Sequence, residues 1–455
     1  MSFQQILFVF VGLFATSLAV YNFNRIWKNI HLGSDYQVTG SASERWKNVF
    51  LIALGQKKMF ARPIAAVFHM FIYIAFIITQ IELIEIGIDG LFGQHRFFAP
   101  YLGSFYTFVI SLIEVLSLLA FIATIVFLFR RNVLKIARFQ KQELNDWPRM
   151  DANIILMLEI MLIIAIFSMN SADIVLQHKL PEHYHHTGNF VISSVLGPMF
   201  LSGMKIPALI AMERIGWWMH FSVVLAFLNY LPFSKHLHIL LAFPNTYYGK
   251  LTPVGEMENM PEVMNEVKTM MGIPTDAPAN QDANADFPVF GANDVTNLTW
   301  KTLLEAYTCT ECGRCTSVCP ANITGKKLSP RKIMMDIRDR AEEVGYKISA
   351  NEKQFIKKDC KDDKLSKHNF DDGRSLFDYI SKEEIHACTT CNACVEACPV
   401  LISPVDAILQ LRRYEILTLS EGPAEWIPMF TAIENNGAVW QISTPRDAWT
   451  SEVNV

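Results

Sequence analysis

Cys309-Thr-Glu-Cys312-Gly-Arg-Cys315-Thr-Ser-Val-Cys319-Pro320 and Cys388-Thr-Thr-Cys391-Asn-Ala-Cys394-Val-Glu-Ala-Cys398-Pro399 are two copies of one pattern, C-x2-C-x2-C-x3-C-P. The short spacings let three thiolates wrap one iron–sulfur cubane, while the fourth points away toward a second. The pattern therefore predicts two [4Fe–4S] clusters with crossed ligation. Cys309, Cys312, Cys315 and Cys398 would hold one, and Cys388, Cys391, Cys394 and Cys319 the other. Structural zinc sites use four ligands per ion, typically as C-x2-C pairs without the trailing C-P, and fit less well. Cys360 is left over and reads as an inert thiol.

Outward from these runs, the chain divides by composition. Of 455 residues, 51% are hydrophobic and 18% charged, and the mean hydropathy is +0.22. Such values exclude a disordered or fibrous chain and sit high for a purely soluble one. The net charge of −4 excludes a strongly basic nucleic-acid binder, so no nucleic-acid partner is expected. Eight of the nine cysteines fall in the two runs, which argues against a secreted disulfide scaffold. Long uncharged stretches fill residues 1–245, and charges crowd into 256–385.

Five stretches are long enough to cross the ~30 Å hydrocarbon core as helices: 5–27, 64–86, 105–129, 152–172 and 216–240. The first lacks a basic n-region and a small-residue cleavage site, so it reads as a helix rather than a signal peptide. Lys and Arg concentrate after the first helix (Lys28, Arg45, Lys47, Lys57, Lys58, Arg62) and after the third (Arg130, Arg131, Lys135, Arg138, Lys141, Arg149). By the positive-inside rule the N-terminus lies outside, and everything after the fifth helix is cytoplasmic.

Polar groups in hydrocarbon need partners. His69 lies near the cytoplasmic end of the second helix, and His220 and His238 lie near opposite ends of the fifth. Eighteen residues make five whole turns, so the latter two share a face, about 27 Å apart if the helix is straight; Pro232 is where it would bend. Antiparallel packing brings His69 level with His238, a pair suited to axial ligation of a b-type haem. Each histidine alternatively bonds only to a neighbouring helix. His236 is close enough in sequence to exchange roles with His238. For His220 the candidate partners toward a second haem are His95, His178, His183, His185 and His186. Glu82, Glu85, Glu114 and Glu159 interrupt the helices and are candidates for proton or quinone chemistry, or for paired and snorkelling side chains.

Residues 245–296, rich in proline and acid, read as a linker with one helix around 261–271. Residues 297–418 form the two-cluster domain; between its runs, Ser329-Pro330 opens a helix through about Val344. The fold class is all-α: a five-helix transmembrane bundle at 1–244, followed by a helical ferredoxin domain. Residues 419–455 are a tail.

Two family resemblances follow from these residues. Pro232-Phe-Ser-Lys-His-Leu-His238, Ala242-Phe-Pro-Asn, Phe68-His69 and the His220–His238 spacing resemble the nitrate reductase gamma subunit. In that family the corresponding histidines ligate haem b; Thr79 stands here in place of its further second-helix ligand, which bears on the distal haem. Leu298-Thr-Trp-Lys, the cysteine runs and Lys327-Leu-Ser-Pro-Arg are similar to membrane Fe–S oxidoreductases related to heterodisulfide reductase, among them electron-transfer-flavoprotein:menaquinone oxidoreductases. The resemblance spans nearly the whole chain. It implies a multi-pass protein of the bacterial inner (cytoplasmic) membrane, passing electrons between a soluble donor, two [4Fe–4S] clusters, haem b and menaquinone from the quinone pool. Members of that group continue into cysteine-rich CCG domains, whereas no cysteine follows Cys398 here. A separate CCG-domain subunit, and through it electron-transfer flavoprotein, is the expected partner, docking against 420–455. The alternatives are reversed flow from quinol, as in heterodisulfide- or sulfite-reductase-type complexes, and a membrane-anchored redox sensor. No nucleophile constellation, nucleotide loop or flavin motif is present, so the chain reads as an electron-transfer subunit of an oxidoreductase whose chemistry belongs to its cofactors.

Overall fold

The computed structural model describes residues 2–274, 289–358, 360–440 and 447–452. Among these there is no β-strand, only isolated bridges between Ser34 and Thr299 and between Ile356 and Phe370. The fold is all-α, as expected. Residues 441–446 and 453–455 of the expected docking tail lie outside the described residues; within it Ile427–Asn436 is helical.

Four helices are long and apolar enough to cross a membrane: α1 (Phe3–Ile30), α2 (Pro63–Phe92), α3 (Ser104–Asn132) and α4 (Trp147–Lys179). Many of their apolar side chains, such as Phe10, Leu13 and Phe14 on α1, project outward, as expected where lipid is the solvent. Pro63 and Pro148 sit in the first turns of α2 and α4, where a missing N–H costs nothing.

The fifth expected span, 216–240, is not one straight helix. α5 (Ile206–Tyr230) gives way to two short 3-10 turns, and α6 (His238–Tyr247) follows; the two arms meet at a 97° bend. Pro232 removes a helical N–H donor, and the Ser234 hydroxyl accepts from the His236 N–H at 3.0 Å, capping a new start. His220 and His238 therefore lie on different helices, and the shared face inferred from five whole turns does not form.

The two-cluster domain is built from α7 (Trp300–Thr308), α8 (Arg314–Val318), α9 (Pro330–Ser349), α10 (Ala393–Ala397) and α11 (Pro404–Arg413). Ser329 caps α9 by accepting from the Lys332 N–H, close to where the Ser-Pro signal put it. The linker carries the helix Pro261–Met270.

One apolar core joins the two halves. Ile26, Ile30 and Leu32 at the end of α1 are buried with Leu303, Ile333, Ile337 and Leu411 of the cluster domain. Asn29 donates to the Tyr307 hydroxyl at 2.9 Å. Beyond α1, Ser34 exchanges backbone hydrogen bonds with Leu298 and Trp300 at 2.8 and 2.9 Å. A Cβ on Gly33 would come within 2.5–2.8 Å of that backbone, so only glycine permits the approach.

Candidate iron–sulfur and histidine sites

Each cysteine run folds the same way. The residues before and after the second cysteine adopt left-handed φ: Glu311 (52°) and Gly313 (69°) in the first run, Thr390 (52°) and Asn392 (60°) in the second. Three of these four carry side chains, a strain that persists where surrounding structure fixes a functional loop. A short helix, α8 or α10, then carries the third cysteine, and the fourth stands at its C-terminal end.

Helices α8 and α10 pack against each other and sort the thiols into two groups. Cys315 faces Cys312, Cys309 and Cys398 closely enough for their charges to interact, with Cys394 of the other run also within reach. Cys394 faces Cys388, Cys391 and Cys319 in the same way. These groupings are compatible with the crossed ligation expected from the spacing. The second group lines a small cavity of about 20 Å³ together with Pro320, Leu328, Pro330 and Val405. Among the described residues no three His, Cys, Asp or Glu side chains converge as ligands of a single metal ion. Thiols set around a space suit a multi-iron cluster better than a lone zinc ion. Cys360 is in neither group; its thiol is 3.5 Å from Asp362.

Burial pushes the Cys309 thiol up to about 11, and Cys394 and Cys398 up to about 12. Only a strongly positive centre would keep such thiols deprotonated, which is the donor set a cluster needs. Backbone amides assist. Thr390 N–H donates to Cys388 Sγ at 3.4 Å and Ile402 N–H to Cys398 Sγ at 3.3 Å. Hydrogen bonds to sulfur and burial set cluster potentials. Each group has two buried thiols, Cys309 and Cys398 in the first and Cys319 and Cys394 in the second, and they differ in that Cys391 of the second is exposed.

The first run rests directly on the membrane half. Arg314, between Cys312 and Cys315, donates to the carbonyls of Lys58 and Met59 at 3.0 and 3.3 Å, and Arg62 donates to Ser317 at 2.6 Å. These residues lead into α2, whose second turn carries His69. Glu311 accepts from Lys235 at 2.5 Å and from Arg338 at 2.9 Å. Burial would raise the Glu311 carboxyl, but Lys235 and Arg338 hold it below its usual range. Lys235 lies three residues before His238.

His69, His236 and His238 converge there, close enough for their charges to interact, and Arg314 reaches His69 as well. The His236 and His238 rings are 5.3 Å apart. His238 Nδ1 lies 3.1 Å from the Lys235 carbonyl, which orients the ring and leaves Nε2 free, as for a metal-ligating imidazole. Among the described residues His69 has no hydrogen-bond partner, and His236 Nδ1 is buried without one. The donor set fits a haem held by His69 and His238, with His236 beside it. His220 is 4% exposed, and its Nδ1 is unpartnered, yet no second histidine stands near it. His95 instead faces Asp173 at 3.2 Å, and His186 Nδ1 accepts from the Gly188 N–H.

Glu82, Glu85 and Glu114 are buried, and the guanidinium of Arg96 lies among them. Glu159 is half-buried on α4 without a hydrogen-bond partner among the described residues.

A bundle of apolar spans fused to two four-cysteine runs defines a membrane-anchored iron–sulfur protein. The family model for a 4Fe-4S dicluster domain matches residues 308–402. Along 99% of its length the chain is 26% identical to the probable iron-sulfur-binding oxidoreductase FadF of Bacillus subtilis, covering 61% of that protein. Along 89% it is 27% identical to the EtfAB:quinone oxidoreductase of Syntrophomonas wolfei, covering 54%. Over 34% of the chain it is 34% identical to a probable membrane-anchored ferredoxin of Chromohalobacter salexigens, covering 23% of it. The chain thus spans about half to three-fifths of the first two relatives. No solved structure matches it. The first two relatives are named as oxidoreductases and the third as a membrane-anchored ferredoxin; this chain carries a 4Fe-4S dicluster domain beside helices long and apolar enough to cross a membrane.

Proposed function

We propose that this chain is the electron-transfer subunit of a membrane-bound quinone oxidoreductase, joining a soluble flavoprotein-type donor to menaquinone. The two [4Fe–4S] clusters and a haem b, when bound, supply one-electron carriers at three successive stations. Cys309, Cys312, Cys315 and Cys398 hold the station nearer the membrane. Cys388, Cys391, Cys394 and Cys319 hold the outer one, and His69 and His238 the haem.

The observation that carries this reading is that one cysteine run rests on both segments bearing the histidines, through Arg314 on Lys58–Met59 and Glu311 on Lys235. That docking fixes the separation between stations without a mobile hinge. Exposed Cys391 marks the outer group as the end open to a soluble partner. The relative named EtfAB:quinone oxidoreductase supports electron-transfer flavoprotein as donor, directly or through a CCG-domain subunit, and quinone as acceptor. The basic residues after α1 and α3 support a cytoplasmic cluster domain and an outer N-terminus in a bacterial inner membrane.

The test is single-turnover reoxidation of dithionite-reduced clusters by menadione in the purified protein. Replacing His238 by Ala should slow it by about 10–100-fold or more while the cluster EPR signals persist. Equal rates in His238→Ala and wild type would refute the route through the histidines.

A further inference from the structure

At the end of the bundle far from the clusters, α2, α3 and α4 enclose a polar network centred on Arg96. Arg96 Nη2 donates to Asn170 Oδ1 at 2.6 Å and Nε to Asp173 Oδ2 at 3.3 Å, while Nη1 lies 3.3 Å from the Tyr106 hydroxyl. Tyr106 in turn donates to Glu85 at 2.7 Å, and Phe98 N–H donates to the other Glu85 oxygen at 3.0 Å. Asp89 accepts from the Arg96 and Phe97 amides. Glu114 accepts from the amides of Ile192 and Ser193 at 2.8 and 3.1 Å. On α5, Glu213 is held by its neighbour Arg214.

Every carboxylate there has donors except one. Glu82 is 1% exposed, and neither of its oxygens has a well-aligned donor among the described residues, although the Asn170 amide is near. The charges that reach it are Arg96, whose Nη1 is 3.8 Å away, and the like charges of Glu85 and Glu114. One guanidinium already shared with Asp173 and lying close to Glu85 and Asp89 is a poor partner for a further buried anion at Glu82. Buried polar atoms without partners lie nearby as well: both Glu82 oxygens, Ser171 Oγ beside Asn170, and Ser193 Oγ, whose own amide bonds Glu114. Such a concentration in one spot points to a polar ligand rather than to packing.

We propose that Glu82 is the proton-exchanging group of a quinone site in this far half of the bundle. The proposal rests on the quinone reading above. A quinone takes two electrons, delivered through this chain, and two protons to become quinol. At each proton transfer the Glu82 O–H bond breaks, an O–H bond forms on a quinone oxygen, and the carboxylate regains a proton from the adjacent aqueous phase past Asp173 and His95. The His95 ring, 3.2 Å from Asp173, is 25% exposed and would stand at the outer end of that route. Quinol oxidation runs the same transfers backward.

The experiment compares wild type, Glu82→Gln and Glu82→Asp in their reaction with menadiol and menadione, with infrared difference spectra of the oxidised and menadiol-reduced protein. The wild type should show a protonated-carboxyl C=O band that shifts in D2O and is absent from Glu82→Gln. Quinone-linked turnover in Glu82→Gln should fall by about 10²–10⁴-fold, the range for losing a general acid–base group, and recover in part in Glu82→Asp. Dithionite should still reduce the clusters of all three to the same extent. A wild type that turns over quinone without that band, or Glu82→Gln turning over at the wild-type rate, overturns the assignment of Glu82 alone. A wild type inert toward menadiol overturns the quinone reading, and this site with it.

Discussion

Cys319 and Cys398 each complete the thiol group begun by the other run, so a single substitution should read out the crossing. Replacing Cys398 by Ala should abolish the same EPR signal that Cys309→Ala abolishes and leave the signal that depends on Cys388. Loss of the Cys388-dependent signal in Cys398→Ala would mean that each run closes its own cluster. The cysteines were legible because their chemistry is written in spacings of two and three residues. His69 and His238 were legible as polar groups in apolar stretches. Arg96 was not: its partners Asn170 and Asp173 lie more than 70 residues away, and nothing local marks it as buried. Lys235 and Glu311 meet across a similar gap.

Elements obeyed their local signals except where one residue outweighed hydropathy. The run 216–240 is apolar enough to read as one span, but Pro232 and Ser234 divide it, and the 97° turn carries His238 onto α6 beside the cluster domain. In that domain α9 is held by an ion network with a definite pH response. Arg340, 0% exposed, donates to Asp294 at 2.6 Å and to Asp372 at 2.7 Å; Lys347 bonds Asp372 and Glu343, each at 2.8 Å. Burial would raise both carboxyls, but Arg340 and Lys347 hold Glu343 down to about 2 and Asp372 well below its usual range. A depressed carboxyl stabilises the fold above the unfolded value near 4 and loses that contribution as pH falls toward the folded value. Asp372→Asn should therefore cost about 3 kcal/mol at neutral pH, the low end for breaking a buried ion pair, because Asp294 still holds Arg340. The difference from wild type should shrink between about pH 4 and pH 2. Thermal unfolding followed by helical circular dichroism measures it; a difference independent of pH would show that the network does not titrate as described.

At the scale of the whole molecule, the separate halves suggested by composition share one core. The last turns of α1 are buried in the cluster domain, Gly33–Ser34 pairs with the entry to α7, and Arg314 and Glu311 seat the first cysteine run against the loop before α2 and the break after α5. Composition alone placed a linker between two bodies, because hydropathy reports which solvent a segment prefers and not what it packs against. This seating supports the proposal that the histidine group continues the cluster chain into the membrane, and the haem at His69 and His238 is its central claim. An anaerobic difference spectrum of the purified protein, before and after menadiol, tests it most directly. The account predicts a b-haem α-band that appears with menadiol in the wild type and is lost in both His69→Ala and His238→Ala. Absence of any haem band in wild-type protein that retains its clusters would contradict it, reducing the histidines to packing residues and the chain to an anchored ferredoxin.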